Sequence, residues 1–276
     1  MHLTFRLSEQ DSDEYPMTEE ELLVKRFQEL SDMAGRRGFV TFTDFLNLNE
    51  QNILHQTLQK FSWIKGETFG GYEGAERQIA AFVPDAFSHV DEFDEWSAKS
   101  WEYPISCIRI RPLNAKFAED LGHRDILGSL MHLGIERSKM GDIALCGNEF
   151  YLFCCTSMAE LICRELTRIR HTSVYCELCS PGDLNYKPET KSVKGSVASV
   201  RLDAVMALAF QSSRSSLLSL IADAKVFVNG KLITTNAYTL KEADLVSVRG
   251  LGRFRYIGIL GQTKKGRCMV EIEKYI

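Results

Sequence analysis

The sequence predicts an α+β chain of three units, and three observations carry that prediction. Hydrophobic patterns between residues 86 and 180 follow the order β-α-β-β-α-β. Two short apolar helical patterns after residue 200 run directly into Asn229–Gly230, a two-residue hairpin signal. Charge also steps along the chain. Residues 1–100 hold 9 Lys+Arg against 19 Asp+Glu, residues 101–198 hold 12 of each, and residues 199–276 hold 12 against 6. The expected units are residues 1–85, a mixed helical N-terminal region with some strand, residues 86–180, a ferredoxin-like (RRM-like) domain, and residues 181–276, a basic module with C-terminal strands.

The first unit opens with "TEEELLVKRFQELSDMAGRRG". Thr18 suits an N-cap, Glu19–Glu21 fill the first turn, and Leu22, Leu23, Phe27, Leu30 and Met33 repeat at helical spacing before Gly35 and Gly38. "NLNEQNILHQTLQKF" predicts a second amphipathic helix. "FGGYEGAERQIAAFVP" combines a glycine-rich turn with a strand.

In the middle unit, "YPISCIRIRPL" alternates Ile108 and Ile110 with Arg109 and Arg111, as a strand does. "HRDILGSLMHLGI" has helical spacing, "DIALCGNEFYLFCC" is a hairpin turning at Gly147–Asn148, "SMAELICRELTRI" is a helix and "TSVYCEL" closes the sheet. RNA-recognition modules of this shape show aromatics on the sheet face. Tyr151 and Phe153 could serve there, but the core is the expected place for both. Residues 180–199, with two prolines and two glycines among polar residues, read as a linker or solvated connection.

In the last unit, Leu202, Val205, Met206, Leu208 and Ala209 form one apolar helical face. Ser212 or Ser213 caps a second helix, on which Leu217, Leu218, Leu220 and Ile221 point inward and Arg214 outward. Val226 and Val228 start a strand, and strands follow in "DLVSVRG", "RFRYIGILG" and "GRCMVEIEKYI". A helix N-terminus beside a basic hairpin favours phosphate. The expected contacts are Arg201, Ser213, Arg214, Lys225, Asn229, Gly230 and Lys231, with Lys231 emerging next to the helix end. Arg249, Arg253, Arg255, Lys264 and Lys265 extend the set along the C-terminal strands. Such a cluster grips a nucleic-acid backbone rather than reading bases.

Composition excludes other classes. No run of about 18 apolar residues occurs, so no membrane span is expected. "MHLTFRLSEQDSDEYP" lacks the apolar core of a secretory signal. A cytoplasmic chain is expected, and eight cysteines in mostly apolar runs fit it as small hydrophobes. Cys176 and Cys179 form one C-x-x-C without a second ligand pair, so packing is expected over metal or redox chemistry.

"RLDAVMALAFQSSRSSLLSLIADAKVFVNGK" resembles the S4 domain, the RNA-binding module of ribosomal protein S4. The matching residues are Arg201–Asp203, Ser213–Arg214, Val226–Lys231 and Asp244. One departure is Ala224, where the family usually has glycine. "GGYEGAERQIAAFVP", "GHRDILGSLMHLGIERSKMGDI" and "VRGLGRFRYIGILGQTKKGR" further resemble the bacterial YlmH family over most of residues 15–276. That resemblance implies an N-terminal region, a ferredoxin-like middle and a C-terminal S4 domain. It also implies rRNA of the large ribosomal subunit and tRNA or peptidyl-tRNA as partners, in rescue of stalled subunits. A cell-division link is a weaker implication. The acidic head is not expected to touch phosphate, whereas Arg109, Arg111, Arg137 and Lys139 could approach a second RNA.

No catalytic residue, metal site or cofactor is expected, and the chain is expected to act as a monomer. The alternative is an RNA-modifying enzyme of the pseudouridine-synthase type, since Arg201-Leu202-Asp203 matches the start of that motif. "AVMALA" follows in place of its Thr-Ser-Gly turn. "HRD" at His123–Asp125 lacks every supporting kinase motif, and "GGYEGAER" fits neither a Walker loop nor a dinucleotide fingerprint.

Overall fold

The computed structural model describes residues 17–84, 102–147, 149–179 and 189–275. Asn148 of the expected hairpin turn, residues 180–188 of the expected linker and the N-terminal acidic stretch before residue 17 lie outside the described residues.

Helix α1 (Glu19–Arg37) starts where a capping box forms: Thr18 Oγ1 accepts from the Glu21 N–H, and the Glu21 carboxylate accepts from the Thr18 N–H at 2.8 Å. It stops at Gly38, whose φ of 69° turns the chain left-handed. Phe27, Leu30 and Ala34 are buried, but Leu22 is exposed, so the apolar face is narrower than its spacing predicts. Helix α2 (Leu48–Lys60) is capped the same way by Asn47 and Glu50. Two strands, β1 (Thr41–Leu46) and β2 (Gly66–Phe69), flank β3 (Gln78–Phe82) in an antiparallel sheet of order β1-β3-β2. A register shift between Phe42 and Phe45 breaks the period-2 pattern of β1, which hid it in the sequence.

In the middle unit, β4 (Ile105–Pro112), α3 (His123–His132), β5 (Met140–Cys146), β6 (Glu149–Cys155), α4 (Thr156–Glu165), a short β7 (Arg168–Ile169) and β8 (Thr172–Cys179) follow one another. The antiparallel order β5-β6-β4-β8-β7 is the ferredoxin-like arrangement plus the added β7. Ile108, Ile110, Leu152 and Cys154 pack beneath α3 and α4 against Ile126, Leu130 and Ile162. The opposite sheet face is partly covered. Phe153 is buried there against Phe45, Ile79 and Tyr72, with the Tyr72 and Phe153 ring centroids 4.9 Å apart. Cys176 faces the helix-side core and donates to the Leu166 carbonyl, whereas Cys179, three residues on, faces the other side near Cys107. Desolvation by burial pushes the Cys176 thiol up to about 12.

The last unit is a six-stranded sheet, order β11-β10-β12-β13-β14-β9, covered by α5 (Leu202–Phe210) and α6 (Arg214–Ala222). The helices meet at 119°, a helix-turn-helix angle. Strands β10 (Val226–Val228), β11 (Lys231–Leu232), β12 (Leu245–Val248), β13 (Gly252–Gln262) and β14 (Cys268–Tyr275) are joined by β9 (Thr190–Val197). Strand β9 corrects the linker reading for residues 190–197: eight residues pair with β14 along the sheet edge. Its polar side chains suit an edge, where backbone pairing rather than apolar burial holds the strand and lysines deter further pairing.

The expected hairpin turn forms at Asn229 (φ 49°) and Gly230 (φ 75°). Asp244, 5% exposed, accepts from Asn229 Nδ2 at 2.8 Å and from the Lys241 N–H, while Asn229 Oδ1 accepts from the Leu245 N–H. Ala224 adopts φ 56°, so the left-handed cap survives without glycine.

The segment "GGYEGAER" joins all three units. The Asp142 carboxylate accepts from Tyr72 Oη at 2.7 Å, the Glu76 N–H at 2.7 Å and the Arg77 N–H at 3.1 Å. The buried Arg77 guanidinium donates to the carbonyls of Met140, Phe45 and Arg137. From the last unit, Arg253 Nη1 donates to the Gly74 carbonyl at 2.7 Å and Arg255 pairs with Glu73 at 3.1 Å. Gly71, at φ 97°, lies where a Cβ would overlap the Phe153 ring. These contacts give the glycine-rich segment a structural role at the junction.

Two outcomes follow for stability. Ala224→Gly relieves a left-handed alanine that costs roughly 1–2 kcal/mol and adds unfolded-state entropy of roughly 0.5–1 kcal/mol. A rise of about 0.5 kcal/mol in unfolding free energy, read from the urea midpoint at unchanged slope, is expected. Asp142→Ala strands three donors at the junction and should destabilise by about 3 kcal/mol or more in the same measurement.

Candidate nucleic-acid interface

Ser213 caps α6, its Oγ accepting from the Ser216 N–H at 3.3 Å, so the helix N-terminus is built as expected. Arg214 follows in the first turn, exposed and without an ion-pair partner among the described residues. Arg201 sits at the start of α5 and contacts the Asp203 carboxylate at 3.1 Å. Asp203 itself is 4% exposed inside the helical core, which makes it a structural carboxylate beneath Arg201.

Lys225 lies just past α6, in an exposed pair with Asp223 at 3.1 Å. The Arg249 N–H donates to the Lys225 carbonyl at 2.9 Å, and the Arg249 guanidinium stands 5.1 Å from the Phe227 ring centre. Lys225 and Arg249 therefore mark one end of the β10–β12 pair. Lys264 and Lys265 are exposed in the β13–β14 turn, beside Arg267, which donates to the Ser196 carbonyl.

The structure gives five of the expected contact residues surroundings that the sequence did not suggest. Lys231 does not emerge beside the helix end. It pairs with Val228 at the far end of β10 and lies beside α2. Gly230 is buried against Gln51 and His55, and the Leu232 N–H donates to Asn52 Oδ1 at 2.9 Å. The hairpin tip is thus docked on α2, and Gly230 is closed to solvent. Burial, with Lys231 nearby as the second cause, lowers the His55 pKa from its ordinary value. Asn229 uses both side-chain ends on Asp244 and Leu245. Finally, Arg253 and Arg255 turn toward Gly74 and Glu73, and both side chains are largely buried. A sequence cannot tell an arginine aimed at phosphate from one aimed at a neighbouring loop, because both sit on a strand next to polar residues.

The middle unit changes similarly. Lys139 pairs with Asp44 at 2.7 Å, and Arg137 donates to the Met140 and Gly141 carbonyls. Arg109 makes a two-pronged contact with Glu149, both bonds 2.7 Å, which holds the Glu149 carboxyl below its usual range. Arg111 stays more open, 3.6 Å from Glu177 and 5.3 Å from the Tyr175 ring centre.

Of the expected contacts, the outward cations are therefore Arg201, Arg214, Lys225, Lys231, Arg249, Lys264 and Lys265. Partial screening by Asp203 and Asp223 leaves Arg214 as the freest charge at the helix end.

Comparison with known proteins adds to this geometry. A family model described as "Putative RNA-binding domain in YlmH" matches residues 99–181, and the S4 domain model matches residues 200–246. The chain is 30% identical over 237 residues to "Ribosome-associated protein quality control protein P2" of Bacillus subtilis (strain 168), spanning 84% of this chain and 86% of that protein. A solved structure, "Cell division protein ylmH from Streptococcus pneumoniae", is 20% identical, covers 62% of this chain and 96% of its own, and superposes with a TM-score of 0.46.

Arg214→Ala with Lys231→Ala should weaken binding to a structured RNA and lower the slope of log affinity against log salt by about 2. Arg253→Ala should leave that slope unchanged while lowering the unfolding free energy. An unchanged slope in the folded double variant would show that neither position touches RNA.

Proposed function

The chain belongs to the YlmH family of S4-domain RNA-binding proteins, and we propose that it acts on the large ribosomal subunit, binding its rRNA together with tRNA in rescue of stalled subunits. The observation that carries this reading is Arg214, exposed at a capped helix end and without an ion-pair partner among the described residues, with the Lys225–Arg249 pair beyond the other end of the same helix on the S4 fold. Backbone amides and guanidinium at one helix terminus suit a phosphate. Its relative's name, a ribosome-associated quality control protein, supports the ribosome as the source of that phosphate.

The proposed contact set is Arg201, Ser213, Arg214, Lys225, Lys231, Arg249, Lys264 and Lys265. Asn229, Gly230, Arg253 and Arg255 instead hold the S4 unit in place. The phosphate grip is blind to sequence, so selectivity comes from a second RNA contact on the same chain. Two modest sites reinforce one another only where both RNAs are present, through effective concentration. A large subunit still carrying peptidyl-tRNA meets that condition. The same reading places the protein in the cytoplasm, as a monomer that works by binding rather than by turnover.

Pull-down of the full chain from cells accumulating stalled nascent chains tests the proposal. Recovery of large-subunit rRNA with tRNA is expected, and it should fall with Arg214→Ala/Lys231→Ala. Recovery of mainly small-subunit rRNA, or of mRNA alone, would overturn it.

A further inference from the structure

A second basic feature lies on the helix side of the middle unit, away from the face that the first unit covers. A cavity of about 470 Å3 opens between α3 and the β7–β8 turn. Arg124 reaches it from the first turn of α3, Arg168 from β7 and Arg170 from the turn itself. Ser129 and Thr167 add hydroxyl groups to its wall. Arg124 and Arg168 are exposed, and neither has an ion-pair partner among the described residues.

The two carboxylates in the lining are already engaged. Asp125 accepts from the Gly122 N–H at 2.9 Å, with Arg170 Nε 3.7 Å away, and Glu165 is held by Arg164 at 2.7 Å. The cavity thus keeps a positive balance.

Arg170 is also conformationally out of place. Ile169 pairs with Thr172, so Arg170 and His171 form a two-residue hairpin turn, and Arg170 takes φ 53°. Glycine or asparagine fits that position best, and a left-handed arginine costs roughly 1–2 kcal/mol. The Glu119 carboxylate holds the turn by accepting from the His171 N–H at 2.9 Å, but the Arg170 side chain itself is half exposed and its one ion pair is long. A strained residue with its charge at a cavity mouth points to a ligand.

We propose that this cavity binds backbone phosphates of structured RNA through Arg124, Arg168 and Arg170. The proposal rests on the RNA-binding reading above and deepens it by giving the middle unit its own phosphate contact, separate from the S4 face. The lining contains no Phe, Tyr or Trp to stack a base. That favours a phosphodiester backbone over a free nucleotide.

The test uses the full chain with a tRNA transcript, by fluorescence anisotropy from 50 to 200 mM salt, and ATP as the free-nucleotide arm. The variant is Arg124→Ala/Arg168→Ala/Arg170→Gly. Its Arg170→Gly change relieves the turn, and circular dichroism with a urea midpoint reports the fold. The salt slope for tRNA should fall by about 2 to 3, with at least about tenfold weaker binding at the upper salt limit, and millimolar ATP should not compete. An unchanged slope in the folded variant would overturn this site alone. So would ATP binding that the variant abolishes while tRNA binding persists. Failure of the wild-type chain to bind tRNA would overturn both this site and the tRNA part of the proposed function.

Discussion

The Asp142 carboxylate is the constraint on which the arrangement depends. It begins as one acidic residue in β5 and ends as the acceptor for Tyr72, Glu76 and Arg77 from another unit. Those bonds fix the segment between residues 70 and 77, and that fixed segment gives Arg253 and Arg255 something to hold. Burial raises the Glu76 pKa, with Arg253 opposing it as the next cause. Polar groups at such a junction must be satisfied together, because each partner lost leaves another donor or acceptor buried without one.

This joint determines which surfaces stay open. It covers part of one side of the ferredoxin-like sheet by setting Tyr72, Phe45 and Ile79 against Phe153. Base stacking in the manner of RNA-recognition modules loses that position on β6. The S4 hairpin loses its tip to α2, through Gly230 and Leu232. What remains outward is the start of α6, the Lys225–Arg249 end of the sheet, the Lys264–Lys265 turn and the arginine-lined cavity by α3. Under the proposed function these are phosphate contacts on separate faces. They fit a protein that recognises how RNA segments are arranged in space more than it recognises bases.

Helices, hairpins and caps were largely legible in the sequence, because they rest on local chemistry. Thr18 with Glu21, Ser213 before an apolar run and Asn229–Gly230 each announce one structure within a few residues. The β-α-β-β-α-β order was legible for the same reason. The first sheet was less so, since β1 carries a bulge and β2 is four residues with no apolar run. Strand β9 was misread because a polar edge strand has the composition of a connection. At the candidate site, Arg214 and Lys265 were expected from charge and context, and both are exposed. The proposed Arg168 and Arg170 contacts were not legible there, because "RELTRIRH" reads as the end of a helix until the β7–β8 turn brings it to α3.

The sequence by itself determined the fold class, the S4 and YlmH resemblance and the local geometry around Ser213 and Asn229. The caps and turns depend on neighbours within about one helical turn or one hairpin, and the fold class and resemblance are read from the succession of such stretches along the chain. The tertiary structure alone decided which cations face solvent. Arg253, Arg255 and Lys139 have the same chemistry as Arg214 and Lys265, yet they are turned onto carbonyls and carboxylates of other units. The physical reason is that a guanidinium or ammonium group gains from any acceptor within reach. Which acceptor comes within reach is set by residues 60 to 180 positions away, at distances that no local pattern encodes.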